Sequence, residues 1–353
     1  MLEIKVGHKK IGTNQPVFVI AEIGVNHNGQ LQLAKKLIDR AKAAGADAVK
    51  FQNFLANNLV RKSAPKAAYQ NRNIGSKKSQ WQMLKELELS LQKTKTIKNY
   101  CERQKIIFLS TPYDLTSFDL LKKLNVGLFK LASIDVVFHP LIKKIAESGK
   151  PLLLSTGMSS ESEIKAAVKI FNSASRKKNN LILLQCNTNY PARPQDQNLL
   201  AMTALKKYTP LVGFSDHTEG DEISLAAVAL GAKVIERHFT LSKNMTGPDH
   251  KASLEPAELT RLIKKIRRVE AALGQTIKRP TGGEKINIKM MRRSICAAAD
   301  IPKNTVIKEK HLAYKRPADG LLPIFQNINK ILNKKAKSKI PADTSITLKM
   351  LKK

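Results

Sequence analysis

The sequence predicts an α/β protein: a TIM (β/α)8 barrel followed by a small, mainly β domain. Three observations carry that expectation. Short apolar runs that turn polar at their ends recur eight times between residues 17 and 240. Amphipathic stripes with helical 3–4 spacing separate them. After Leu273 the alternation stops and brief strand-like pieces with turn signals take over. Eight such units in this length match a TIM barrel. A doubly wound open sheet is the alternative, but no Gly-rich nucleotide fingerprint follows the first run.

The strand-like runs occupy 17–24, 47–52, 106–111, 127–133, 151–157, 181–187, 211–218 and 233–240. The first helical stripe, 31–44, carries Leu31, Ala34, Leu37, Ile38 and Ala41 on one face. Others span 115–124, 140–147, 161–171, 199–207, 221–230 and 256–273. Thr116, Ser160 and Glu255-Pro256 read as helix starts. Gly45, Gly149 and Gly231 read as helix ends. The second unit is long and polar from Asn53 to about Thr96, with one short helix at 79–89. Insertions after barrel strands are places for lids and substrate loops. The expected boundaries are a catalytic barrel at 1–275, a linker at 276–290 holding Pro280 and Gly282-Gly283, and a β domain at 291–353. Strands are expected there at 294–298, 305–307 and 312–315. A domain of this size is small enough to lean on another surface.

Composition narrows the function classes. No apolar run approaches the roughly 18 residues of a membrane span, and the first residues lack a signal-peptide core. Cys101, Cys186 and Cys296 are far apart and odd in number, fitting neither a disulfide framework nor a zinc motif. A reducing, cytoplasmic setting is expected. Lys and Arg number 62 against 28 Asp and Glu, a net charge of +34. Such a balance raises affinity for polyanions in general. The basic residues are dispersed, however, and no basic stripe is interleaved with aromatics as single-strand binding requires. No specific nucleic acid and no membrane are expected as partners.

The chemistry gathers at the strand ends, where barrel active sites are built. His217 and His238 each stand in the last turn of a strand. Side chains alternate along a strand, so Ser215 and His217 share one face, and Glu236 and His238 share another. On neighbouring strands, two imidazoles and a carboxylate would converge on a site for a divalent cation. The alternative is a pair of hydrogen-bonded core histidines. Glu22 ends the first strand, and Lys50 and Gln52 share one face of the second. Thr111, Lys130, Ser133, Asp135 and Ser155 follow at later strand ends, then Thr188 and Tyr190, with Asp249 beyond the eighth strand. A buried lysine needs an anion. Lys50 and Lys130, expected on adjacent strands among hydroxyls, indicate a phosphate or carboxylate pocket. A core ion pair of Lys50 with Glu22 or Glu236 is one alternative. Schiff-base chemistry is another, but it gives the histidines no role.

Several segments together resemble the sialic acid synthase family. They are Ala21-Glu22-Ile23-Gly24-Val25-Asn26-His27-Asn28-Gly29, Val49-Lys50-Phe51-Gln52, Ser110-Thr111-Pro112 and Leu154-Ser155-Thr156-Gly157-Met158. Gly213-Phe214-Ser215-Asp216-His217-Thr218, Glu236-Arg237-His238-Phe239-Thr240, Gly247-Pro248-Asp249 and Lys315-Arg316-Pro317 complete the set. The resemblance covers nearly the whole chain in order. It implies a TIM barrel followed by an antifreeze-like (SAF) domain. It also implies a domain-swapped homodimer in which each small domain covers the partner's barrel mouth. The implied reaction condenses phosphoenolpyruvate with the open-chain aldehyde of N-acetylmannosamine or a related 2,4-diacetamido sugar. The products are a nine-carbon 2-keto acid and phosphate.

Carried over by resemblance, Lys50, Thr111, Lys130, Ser133, Ser155 and Ser215 bind phosphoenolpyruvate. His217 and His238 hold Mn²⁺ or Mg²⁺. Gln52, Tyr69, Thr188, Tyr190, Asp249 and, from the partner chain, Arg316 face the sugar. Glu22, Asp135 and Glu236 are the candidate catalytic carboxylates. Asp135 stands where the family commonly has Glu. The segment 67–89 is more similar to the neuraminic and legionaminic branches than to the pseudaminic one. The non-enzymatic alternative is a basic binding protein on a barrel scaffold.

Overall fold

A computed structural model of the chain describes residues 2–67, 70–71, 73 and 78–353. The chain forms two compact units, Met1–Gly274 and Gln275–Lys353. In the first, β1 (Glu3–Val6) and β2 (Lys9–Gly12) make an antiparallel hairpin. Eight strands follow: β3 (Phe18–Gly24), β4 (Ala48–Asn53), β5 (Ile107–Pro112), β6 (Phe129–Leu131), β7 (Leu152–Ser155), β8 (Leu181–Cys186), β9 (Val212–Asp216) and β10 (Val234–His238). Their order is β5-β4-β3-β10-β9-β8-β7-β6, with parallel pairing along the ladder. The two end strands, β5 and β6, also lie against each other, which closes the TIM barrel.

The helices Leu31–Ala43, Leu91–Arg103, Leu115–Lys123, His139–Glu147, Glu161–Ala174, Leu199–Ala204, Glu222–Ala229 and Pro256–Leu273 follow β3 to β10 in turn. Most lie where the apolar stripes predict them. Leu91–Arg103 does not: it lies wholly outside the expected insertion helix, and its buried side chains are only Thr94, Ile97 and Cys101. So sparse a stripe reads as polar loop. The expected helix at 79–89 forms as Gln80–Leu87, capped by Ser79. Ser160 caps Glu161–Ala174 as expected, with Glu163 reaching back to its N–H. Asp114, not Thr116, caps Leu115–Lys123, its carboxylate accepting from Ser117 N at 2.9 Å. An aspartate can accept where the threonine lies already inside the first turn.

Period-2 alternation sorts the barrel strands. Val19, Ala21 and Ile23 of β3 face the helices, while Phe18 and Ile20 face the axis. Axis-facing Ala48, Ile107, Leu109, Leu153, Ile182, Leu184 and Val234 fill the lower barrel, and Ile4, Val6 and Ile11 of the hairpin join that cluster. Each Ile, Leu and Val among them, once fully buried, contributes about 1.5–3 kcal/mol. The lower barrel is therefore a packed apolar plug, and the polar inward residues are confined to the upper end.

The predicted strand at 127–133 shortens to β6 because the chain turns into a 3₁₀ segment, Ser133–Val137. Ser133 therefore stands on a turn. The second unit pairs β11 (Ser294–Ala297) with β12 (Leu312–Lys315), and β13 (Lys335–Ala336) with β14 (Leu351–Lys352). The expected strand at 305–307 is reduced to a single bridge, Val306 to Lys335. The second unit's core is Ile295, Ala297, Ile301, Ile307, Ile331, Ala336, Ile340, Ile346 and Leu351. Within the segment expected to be a linker, Thr281 caps a helix, Gly282–Met291, of which no residue is buried. Among the described residues no helix is long and apolar enough to cross a membrane.

Candidate active site

The polar inward residues meet at the upper end of the barrel. Register sets their levels: Glu22 pairs with Lys50 on one side and His238 on the other, and Glu236 pairs with Ser215. Lys50 Nζ lies 3.0 Å from Glu22 Oε1 and 3.6 Å from Glu236 Oε1, and donates to Thr111 Oγ1 at 3.2 Å. Lys130 Nζ lies 3.6 Å from the same Glu236 oxygen and donates to Ser155 Oγ at 2.7 Å. Ser215 Oγ donates to Glu236 Oε1 at 3.1 Å, and Gln52 Nε2 to Glu22 Oε1 at 2.9 Å. The two lysines are not on adjacent strands as expected. Lys50 is on β4 and Lys130 on β6, with β5 between them. They share Glu236 because the barrel closes and both point to its axis.

Electrostatics divides the carboxylates. Burial pushes Glu22 up to about 7, against the opposing pull of Lys50 and with added repulsion from Glu236. For Glu236 burial is outweighed by Lys130 and Lys50, and the net shift is down. Lys50 rises because Glu22 and Glu236 outweigh its burial, whereas burial lowers Lys130. Environments that drive paired groups apart mark acid–base assignments. Asp135, on the turn after β6, is also buried, feels the charge of Lys130, and is pushed up to about 7.

The histidines stand together on β9's end and β10, ring centres 5.3 Å apart. The Tyr190 ring lies 4.1 Å from His217 and 5.5 Å from His238. His217 Nδ1 is 2.5 Å from the carbonyl of Asn187, which can only accept, so the proton belongs on Nδ1. Burial holds the His238 pKa well below its ordinary value. Its Nδ1 is buried with no hydrogen-bond partner, 3.8 Å from Asp249 Oδ2. Burial raises Asp249 itself to about 6. Glu22 Oε2 and Glu236 Oε2 are likewise buried and unpaired. This donor set fits a divalent cation held by two imidazoles. Among the described residues no three His, Cys, Asp or Glu side chains surround one point, so such an ion would keep positions for water or a substrate oxygen.

The remaining expected residues divide. Ser133 Oγ accepts from Gly157 N at 2.9 Å. A Cβ on Gly157 would stand 2.9 Å from both Ser133 Oγ and the Thr188 methyl, so glycine is required there. These contacts bring Ser133 and half-buried Thr188 to the end of β7. Arg316 lies in the second unit, exposed at the end of β12. Tyr69 lies outside the described residues. Sequence reasoning missed Cys186, whose sulfur is 3.9 Å from His217 Nδ1, although it alternates with inward Leu184. It also missed Asn26, buried after β3, which donates to Phe239 O and to Ser253 Oγ at 2.9 Å each. Ser253 in turn donates to Asp249 O, so Asn26 ties the loop after β3 to the one carrying Asp249.

Residues 37–278 match the NeuB family and residues 292–352 the SAF domain. The chain is 49% identical over 304 residues to the N,N'-diacetyllegionaminic acid synthase of Campylobacter jejuni, covering 86% of this chain and 91% of that one. It is 36% identical over 307 residues to the human N-acetylneuraminate-9-phosphate synthase, covering 86% and 84%. The crystal structure of N-acetylneuraminic acid (sialic acid) synthetase from Leptospira borgpetersenii, in complex with citrate, superposes with a TM-score of 0.72 at 36% identity. It covers 81% of this chain and 95% of that one.

Proposed function

The chain belongs to the NeuB family, and we propose that it condenses phosphoenolpyruvate with the open-chain aldehyde of an N-acetylated amino sugar. The products are a nine-carbon 2-keto acid and inorganic phosphate. The observation that carries this reading is the convergence of Lys50 and Lys130 with Glu22, Glu236 and both histidines in one barrel mouth. Two buried lysines beside Thr111, Ser155 and Ser215 offer charge and hydroxyl donors for the phosphate and carboxylate of phosphoenolpyruvate. Glu236 is the anion both lysines share, and its charge favours their ammonium forms.

In the reaction, the enol carbon bonds to the aldehyde carbon, whose oxygen takes up a proton. Water then adds at the former enol C2, and collapse of the tetrahedral intermediate expels phosphate. Glu22, raised to about 7, is the group suited to move these protons near neutral pH. Asp135, equally raised, is the second candidate. Gln52 holds the Glu22 carboxylate in place. His217 and His238 would hold Mn²⁺ or Mg²⁺, which when bound polarises the aldehyde oxygen. Thr188, Tyr190 and Asp249 line the sugar's side of the mouth in this reading.

The acceptor we favour is a 2,4-diacetamido-2,4,6-trideoxyhexose, supported by the 49% identity to a legionaminic acid synthase. N-acetylmannosamine is the alternative. The reading includes a domain-swapped homodimer with Arg316 supplied by the partner chain. Ile286 and Met290, uncovered on the helix Gly282–Met291, support the need for a covering surface. It also includes a cytoplasmic setting, supported by three free cysteines.

The test is phosphate release from phosphoenolpyruvate in metal-depleted buffer, with and without Mn²⁺, offering both sugars in parallel. Release only with metal and the diacetamido sugar is expected. Release with N-acetylmannosamine alone would reassign the acceptor. No release with either, from folded metal-loaded protein, would overturn the synthase reading for these sugars.

A further inference from the structure

We infer that Asn187 is a positioning residue that sets the tautomer of His217 through its own backbone carbonyl. The inference rests on the reading of His217 as a metal ligand. The carbonyl accepts from His217 Nδ1 at 2.5 Å, which leaves Nε2 unprotonated and free to bind a cation. What holds that carbonyl in place is the Asn187 side chain. Its Nδ2 donates to Asp196 O at 2.9 Å, and its Oδ1 accepts from Asn189 N at 2.9 Å. The far end of the same segment is stitched to β9's end, Ala192 N donating to His217 O at 2.9 Å. Packing alone does not fix the near end. A cavity of about 450 Å³ adjoins it, lined by Gln185, Asn187, Thr188, Asn189, Leu205 and Tyr208. With open space on that side, the amide's two hydrogen bonds, together with Cys186 Sγ donating to the same carbonyl at 3.5 Å, keep it against the imidazole.

The experiment uses full-length, metal-free protein with ¹⁵N-labelled histidine. Long-range ¹H–¹⁵N correlation reads the His217 tautomer, assigned by its loss in His217→Gln, and calorimetry reads Mn²⁺ affinity. Wild type should show the Nδ1–H form alone. Asn187→Ala should show a mixture of tautomers and bind Mn²⁺ about 10–100-fold more weakly. Asn187→Asp keeps the acceptor for Asn189 and loses only the donor, so it should fall between them; it carries the test if the alanine variant does not fold. Unchanged tautomer and affinity in both variants would overturn the inference. A tautomer shift in variants of a wild type that binds no Mn²⁺ would keep the positioning role and sink the metal reading instead.

Discussion

Glu22 and Glu236 share the Lys50 ammonium yet titrate apart, and single substitutions should separate their roles. Glu22→Gln removes the raised carboxyl. It should lower kcat by about 10²–10⁴-fold and flatten the limb of the pH–rate profile near neutrality. Glu236→Gln leaves two buried lysines without their common anion. It should cost about 3–5 kcal/mol of stability in urea denaturation. Equal loss of activity with no difference in stability between the two would contradict the assignment. His27 gives a different dependence. It is wholly buried, its Nδ1 accepts from Gly29 N at 3.0 Å, and burial lowers its pKa from 6.5 to about 4. Between those values the unfolded chain holds more protons than the folded one. Its contribution is therefore fully present above pH 6.5 and is lost as pH falls through 4, on the order of 3 kcal/mol in all. Glu22, Asp135 and Asp249, raised by burial, act with the opposite sign over the acid range. The difference between wild type and His27→Gln isolates the histidine. Wild type should lose more stability than the variant between pH 7 and 4.5, and parallel pH curves would refute this.

At the scale of elements, the histidine pair and the lysine site depend on how β9 is held to β10. Their inward faces carry the chemistry, and their outward faces carry a clamp. Arg237, buried on β10, donates to Asp216 Oδ2 of β9 at 2.7 Å, and to the carbonyls of Thr218 and Gly220 beyond its end. Asp216 also accepts from Thr218 N at 2.8 Å and from Ser224 at 2.5 Å. Removing one member of such a pair strands a buried charge. Arg237→Met should therefore destabilise the protein by about 3–5 kcal/mol, read by chemical denaturation, although it touches no inward residue. A loss below about 1 kcal/mol would show that Asp216 is satisfied without it.

For the whole molecule, the proposed swapped dimer makes a prediction that no isolated subunit can meet. His217→Ala disables a barrel's own mouth, and Arg316→Ala disables the mouth it is proposed to cover on the partner. Co-expressed, the two variants would form mixed dimers with one intact mouth: the barrel of the Arg316 variant, covered by the small domain of the His217 variant. Phosphate release should then reappear in the mixture though neither variant alone shows it. No recovery in verified mixed dimers would place Arg316 with its own chain or outside the site. The net charge of +34 is far larger than this site uses.

Much of the barrel was legible because its signals are local. An apolar run that turns polar marks a strand's upper end, and period-2 alternation says which side chains share a face. Those two rules point Glu22, Lys50, Lys130, Ser215, His217, Glu236 and His238 inward without reference to any partner. The helix Leu91–Arg103 escaped them because three buried side chains make too thin a stripe. The strand expected at 305–307 shrank to one bridge because a short β-branched run specifies no pairing partner. The order of elements and the list of inward groups follow from the chain's local pattern alone. Which lysine meets which carboxylate, that Lys50 and Lys130 share Glu236 across an intervening strand, and that the Asn187 carbonyl holds His217 were decided only by the tertiary structure. The physical reason is that facing is a property of the local backbone. Distance, burial and hence charge depend on how the closed sheet brings remote strands to one axis.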